Sequence, residues 1–427
     1  MRGVVTCLAA IVLFGGASLY GAPQSGAPDS VFATIPFDQW LTQPGAAHLR
    51  WTARVIEPVL SPHQRLSARV FVQVDGRDLA RRRGAGTLFV LAQVTDEEGV
   101  TWQNHLEMDL EKVREGMKAN DAVFNQSFFV LPGDYKVAIA LYDTATKEHT
   151  LARRRLHVSP LRNDPLPDVW RDLPKVEFVP FEKPPDSWYL PSIDTRLKLS
   201  AETREPAHVD LLVNLTPSER FMGSSRVQNR NMGALLPAAK VLSQIAWHNE
   251  FGLALLDLSR RRAAWQQEDG RPLDWGEASR SLEEARPGII DVKSLENRTQ
   301  SAQYFLGEIS RRLSAGLRKQ EIIIVLSSPV EFEPGQDMRP IEVKGASNAR
   351  VFYVRYQPYP PISFGQAGSR GRSGIVMPDG NPPPRSRYTV DQLEPLLKPL
   401  EPRLFDVSSP AQFRRALAAI LGEIARV

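Results

Sequence analysis

The chain has 427 residues, 42% of them apolar, which is enough for two or three packed domains at about 150 residues each. Its net charge of +4, or +3 once Arg2 is subtracted, is too even to imply a polyanionic partner such as nucleic acid. The single cysteine, Cys7, lies in the first apolar stretch, so a chain processed beyond it has no disulfide, thiolate metal site or cysteine nucleophile.

Arg2 and the apolar run Val4 to Phe14, followed by small residues through Ala22, predict a secretory signal over residues 1–22. The run is too short to span a bilayer, which needs about 20 residues, and no other run reaches that length. Secretion or a periplasmic location is the expectation. Residues 23–45, rich in Pro, Gly, Ala and Ser, read as a flexible leader.

Residues 46–158 have a β rhythm. Leu66–Val74, Thr87–Thr95, Ala122–Val130, Tyr135–Tyr142 and Leu151–Val158 are short runs between turn residues, with weaker strands near 49–57 and 101–110. Seven strands at this spacing predict an antiparallel β-sandwich of the immunoglobulin or fibronectin kind. Leu131-Pro132-Gly133-Asp134-Tyr135 resembles the tyrosine corner of those domains, in which a tyrosine hydroxyl ties back to the chain. Residues 159–204 carry eight prolines and read as a semi-rigid linker anchored by Trp170, Trp188 and Tyr189.

From residue 205 to 427 strands and helices alternate. Val209–Leu215 is a buried strand. A helical stripe follows with Leu235, Ala238, Ala239, Leu242, Ile245 and Ala246. Phe251–Leu258 is a strand and Ala263–Gln267 a short edge strand. A helix spans 300–319, and Ile322–Leu326 is β-branched enough for a strand covered on both faces. Ala349–Tyr356 and Arg403–Val407 follow. The last helix starts at Ser409 as N-cap, with Pro410 first and Gln412 as the capping-box partner. This predicts a doubly wound, mostly parallel α/β sheet. The Gly- and Pro-rich stretch 365–387, with Arg370, Arg372, Arg385 and Arg387, reads as a mobile loop.

In such a sheet ligands bind at the carboxyl ends of the strands. The first strand ends in Asn214-x-Thr216-x-Ser218, and Leu326-Ser327-Ser328-Pro329 closes the Ile322 strand. Strand order and these loop positions resemble a von Willebrand factor A domain. With the β-sandwich and export signal, the chain looks like the secreted von Willebrand factor A-related proteins of acidobacteria. That resemblance implies a rim of Asn214, Thr216, Ser218, Thr299 and Ser328 where the family holds one divalent ion, usually Mg²⁺. Here an amide replaces the first carboxylate, and Ser328 stands where the family has its later Asp. A neutral site cannot offset the dehydration of Mg²⁺. The expectation is a degenerate metal-ion-dependent adhesion site with no cofactor, weak Mg²⁺ or Mn²⁺ binding being left open. Asp257, Glu219, Glu331 and Glu333 are the nearby carboxylates, and helix or loop capping is the plainer role for the whole rim.

Three arginine triplets, 81–83, 153–155 and 260–262, read as solvated surface, with an anionic envelope or acidic partner fitting them better than nucleic acid. His248-Asn249-Glu250 lacks the second histidine of a zinc helix, and neither a nucleophile elbow nor a phosphate loop occurs. The favoured expectation is a non-enzymatic exported binding or adhesion protein with an unidentified protein partner. A hydrolase built from scattered carboxylates, or a structural cell-envelope component, are the alternatives.

Overall fold

The computed structural model describes residues 31–43, 45, 48–113, 115–179, 196–200, 208–216, 225–246, 251–268, 273–284, 300–315, 321–332, 335, 337–339, 349–357 and 391–426. The predicted signal, Trp188 and Tyr189 in the predicted linker, and the 365–387 loop lie outside these residues.

The N-terminal β part consists of β1 Trp51–Leu60, β2 Leu66–Val74, β3 Thr87–Thr95, β4 Thr101–Asp109, β5 Ala122–Val130, β6 Gly133–Asp143, β7 His149–Val158 and β8 Val176–Phe178. They make two antiparallel four-stranded sheets, ordered β1-β2-β5-β8 and β4-β3-β6-β7. Alternation decides which residues enter the common core. Val70, Val72 and Val74 come from one sheet, and Val90, Ala92, Val137, Ile139 and Leu141 from the other. Fully burying a side chain of this kind contributes roughly 1.5–3 kcal/mol. The Tyr135 hydroxyl donates to the Leu131 carbonyl at 2.9 Å, as the tyrosine corner predicts, and burial pushes its pKa up to about 12.

Residues 31–42 depart from the flexible-leader reading. They form a 3-10 turn and the short helix α1 Phe37–Thr42; a second short helix, α2 Gly76–Arg81, follows β2. Phe32, Phe37 and Trp40 are buried against Leu91, Ala138 and Ala140 on the outer face of the second sheet. Trp40 stacks on His149 at 4.2 Å. The proline-rich stretch, read as a semi-rigid linker anchored by Trp170, buries that ring and also contributes a strand. Leu131 N–H donates to the Lys175 carbonyl, and Val176–Phe178 then pairs with β5 at a sheet edge, where few ladder bonds are needed and prolines can flank.

The C-terminal α/β part holds β10 His208–Asn214, β12 Phe251–Asp257, β13 Arg262–Gln267, β14 Glu321–Ser327, β15 Ala349–Tyr356 and β16 Arg403–Val407. Among the described residues these form a six-stranded sheet ordered β13-β12-β10-β14-β15-β16, and only the edge strand β13 is antiparallel. Helices α3 Ser225–Leu242, α4 Trp275–Glu284, α5 Ser301–Ala315, α6 Leu393–Leu397 and α7 Pro410–Ile424 accompany it. Val209, Leu211, Val213 and Ile324 share a core with Leu235 of α3 and Leu417 of α7. Leu212, Ile323, Val325 and Tyr353 pack on the other face with Phe305 of α5 and Leu396 of α6. Helices on both faces account for the unbroken apolar runs of β10 and β14.

Two local readings need correction. Ile245 and Ala246 do not extend the α3 stripe. They form β11, a two-residue strand parallel to β9 Leu199–Ser200, because α3 ends at Leu242 in a turn closed by the Ser243 and Gln244 N–H groups. At α7 the Ser409 Oγ accepts from Gln412 N at 3.3 Å as predicted. The reciprocal bond goes one residue earlier, Gln412 Oε1 accepting from Ser408 N at 2.6 Å.

The two parts meet at a buried arginine. Arg414 of α7 donates from Nε and Nη2 to both oxygens of Asp164, at 2.6 and 2.8 Å, and from Nη2 to the Leu166 carbonyl at 2.8 Å. Gln64, left-handed at φ +60°, offers its carbonyl to Arg414 and to Trp170 Nε1, while its amide donates to the Pro410 carbonyl at 3.0 Å. Asp164 is held below the usual carboxylate range: burial opposes the shift, and the Arg414 bonds outweigh it.

Candidate functional site

The order of the six strands reverses direction between β10 and β14. The crevice at the carboxyl ends of those two strands is where a sheet of this order places a ligand. Asn214 is the last residue of β10, and its register partner Ser327 is the last of β14. The amide of Asn214 donates from Nδ2 to Ser327 Oγ at 2.9 Å, which joins the two strand ends across the crevice.

The rest of the rim is bonded in the same inward manner. Asn214 Oδ1 accepts from Thr216 N at 3.0 Å, folding the chain back two residues on. Thr216 Oγ1 accepts from Leu258 N at 2.7 Å and Ser259 N at 3.4 Å, and donates to Asp257 Oδ1 at 3.5 Å. Ser327 Oγ donates to the Ser328 carbonyl at 2.6 Å, and Ser328 Oγ donates to the Tyr356 carbonyl at 3.0 Å. Asn214, Thr216, Ser327 and Ser328 are all buried. The structure thus brings Asn214, Thr216 and Ser328 of the predicted rim to one end of the sheet. Ser218 and Thr299 lie outside the described residues, as do Glu219 and Glu333.

Asp257 has a separate task. Its Oδ1 accepts from Ser259 Oγ at 2.6 Å and from Arg260 N at 3.1 Å, and Arg260 Nη1 lies 3.5 Å from Oδ2. It caps the turn into β13 and is neutralised by the first arginine of the third triplet. Sequence reasoning passed over a second carboxylate. Asp391 accepts from Val330 N and Leu393 N at 3.2 Å each, and from the Tyr353 hydroxyl at 2.8 Å. Arg355 reaches Asp391, Glu394 and Asp406. Burial, followed by the Asp391 charge, raises the Tyr353 phenol well above its ordinary value. The signal available was Asp391 two residues before the helical Leu393-Glu394, a helix-start pattern.

Mg²⁺ does not fit the described residues of the rim. The ion needs hard oxygens with free lone pairs and some carboxylate charge to offset dehydration. Here the side-chain oxygens of Asn214, Thr216 and Ser327 accept from N–H donors, the Ser328 hydroxyl is turned to the Tyr356 carbonyl, and the adjacent carboxylate of Asp257 is paired. Among the described residues no group of three His, Cys, Asp or Glu could hold a metal ion. Chemically the arrangement is a neutral, self-satisfied hydrogen-bond network that fixes three loop starts.

No family model matches the chain, and no curated protein does. Solved structures that are similar over part of the chain include two of limited extent. One, a structural-genomics target, is 12% identical with a TM-score of 0.16 and covers 26% of this chain and 87% of its own. The other, an ApaA protein from Bordetella pertussis, is 11% identical with a TM-score of 0.18 and covers 26% of this chain and 97% of its own. Likenesses of that extent carry neither fold nor function to this chain.

Proposed function

We propose that this protein is an exported, non-enzymatic binding protein. An immunoglobulin- or fibronectin-like sandwich over residues 46–158 carries, through the 159–204 segment, a von Willebrand factor A-like domain over 205–427. The observation that supports the reading most directly is the strand order with its single antiparallel edge, combined with Asn214-x-Thr216 and Ser328 at the carboxyl ends of the strands. The tyrosine corner supports the sandwich half. The apolar segment at 4–14 supports export. Among the described residues no helix is long and apolar enough to cross a membrane.

On this reading the bond between Asn214 and Ser327 takes over the tying role that an ion has in the family. The buried side chains of the rim hold the loops, and the loops touch the protein partner without a metal bridge. A photo-crosslinker at the exposed Gln357, beside the rim at the end of β15, tests this against one at Arg350, at the opposite end of the same strand. A discrete adduct at Gln357 alone, unaffected by chelator, is expected. Equal capture at both positions, or an adduct lost with chelator, would overturn the reading.

A further inference from the structure

The outer face of the β4-β3-β6-β7 sheet divides into two unlike halves. At one end Phe32, Phe37 and Trp40 cover Leu91, Ala138 and Ala140. At the other end the register places Thr95, Lys136 and Arg155 in one cross-strand row, and Gln103, Gln93 and Arg153, flanking the covered Ala138, in the next. Lys136, Arg153 and Arg155 are exposed. None of the three has an ion-pair partner among the described residues, the nearest in register being Asp134, which pairs with His157 at 2.8 Å.

This contrasts with the other arginines in the triplets. Arg82 is bonded to Asp143 and Glu148, Arg260 to Asp257, and Arg154 to the Ala53 carbonyl at 2.8 Å across the open side of the sheets. Those side chains serve the fold. Lys136 and Arg155 do the reverse, because like charges directly opposite on neighbouring strands destabilise a sheet. Among the described residues these rows hold no Phe, Tyr or Trp ring on which a sugar or a base could stack, and the neighbouring His157 is engaged with Asp134.

We infer that this half-face is a docking surface for an extended acidic segment of a partner protein. Residues two apart on one strand lie about 6.8 Å apart, so Arg153 and Arg155 match Asp or Glu at alternate positions of an extended peptide. Arg presents a fork of donors to each carboxylate, and Lys136 adds a third cation about 5 Å across the ladder. Three cations alone are too few to hold a protein firmly at an anionic lipid surface. The inference does not depend on the rim reading, since the surface lies on the other part of the chain.

The test uses the full chain and two fluorescent peptides of equal composition, one with glutamate at every second position and one with the glutamates consecutive. The alternating peptide should bind at least tenfold more tightly, weaken as salt rises, and lose binding in Arg153→Glu and Arg155→Glu. Arg155→Glu should leave the unfolding temperature unchanged or raise it, because it replaces a like-charge pair with an ion pair to Lys136. Equal binding of the two peptides, or retained binding in Arg155→Glu, would overturn the inference. So would binding to anionic lipid vesicles without preference between the peptides, which assigns the surface to membrane instead.

Discussion

Arg414 lies over the ring of Trp170, its guanidinium carbon 4.6 Å from the ring centroid, while the same group grips Asp164 with two bonds. A helix at the end of the chain is thereby fastened to a segment about 250 residues earlier. Removing one partner of a buried pair strands the other charge, at a cost of about 3–5 kcal/mol. Arg414→Met, which keeps an apolar stem over Trp170, should lower the urea-denaturation free energy by that amount. A loss below about 1 kcal/mol would show that the two parts hold together without it.

Asn214→Asp puts a carboxylate at a position that is 1% exposed. It removes the donor to Ser327 and buries an unpaired charge, so the domain should lose at least about 2 kcal/mol. Because the neighbouring Ser327 and Ser328 add no second carboxylate, millimolar Mg²⁺ should not restore the unfolding temperature. Full recovery with Mg²⁺ would mean that the rim remains a metal site one substitution away.

Gly252 leaves room for a charge. A Cβ there would sit 2.3 Å from Asp210 Oδ1, and that carboxylate lies 3.5 Å from Arg312 Nε and 3.3 Å from His208 Nε2. Gly252→Ala should cost about 1–3 kcal/mol by thermal unfolding, as overpacking does. The penalty should vanish in an Asp210→Ala background, since residues in contact are not additive. An equal penalty in both backgrounds would place the effect elsewhere.

His63 packs edge-on to Phe129, and its pKa is lowered to about 4 by burial, then by the charges of Lys240 and Arg65. The folded state therefore holds the neutral ring while the unfolded chain takes up a proton near pH 6.5. The sign follows directly: stability is whole above about pH 6.5 and is lost as pH falls towards 4. The slope from this group reaches about 1.4 kcal/mol per pH unit. His63→Phe should flatten the stability curve in that window, and an unchanged slope would assign it to other groups.

Much of the architecture was legible because period-two alternation between turn residues is a strong local signal. The bounds of β2, β3, β5, β15 and β16 agree with their sequence readings to the residue. Helix α4 was not read, although its signal exists. Asp274 Oδ1 accepts from Glu277 N at 2.8 Å, and Ala278 and Leu282 recur at helical spacing. The pairing of Asn214 with Ser327 could not be read, because 113 residues separate them and only strand order makes them neighbours. Arg414 reads in sequence as the charged side of an amphipathic helix. Its burial follows only from how α7 meets Trp170.

The aromatic helix at 37–42 also sets a boundary on processing. Cleavage at the end of the predicted signal, residues 1–22, would leave it in place. A chain beginning after Thr42 would present Leu91, Ala138, Ala140 and Leu151 to water as one sticky sheet face, open to the same face on another copy. Whether the trimmed protein stays dispersed thus hangs on twelve residues that a glance at composition would discard as leader.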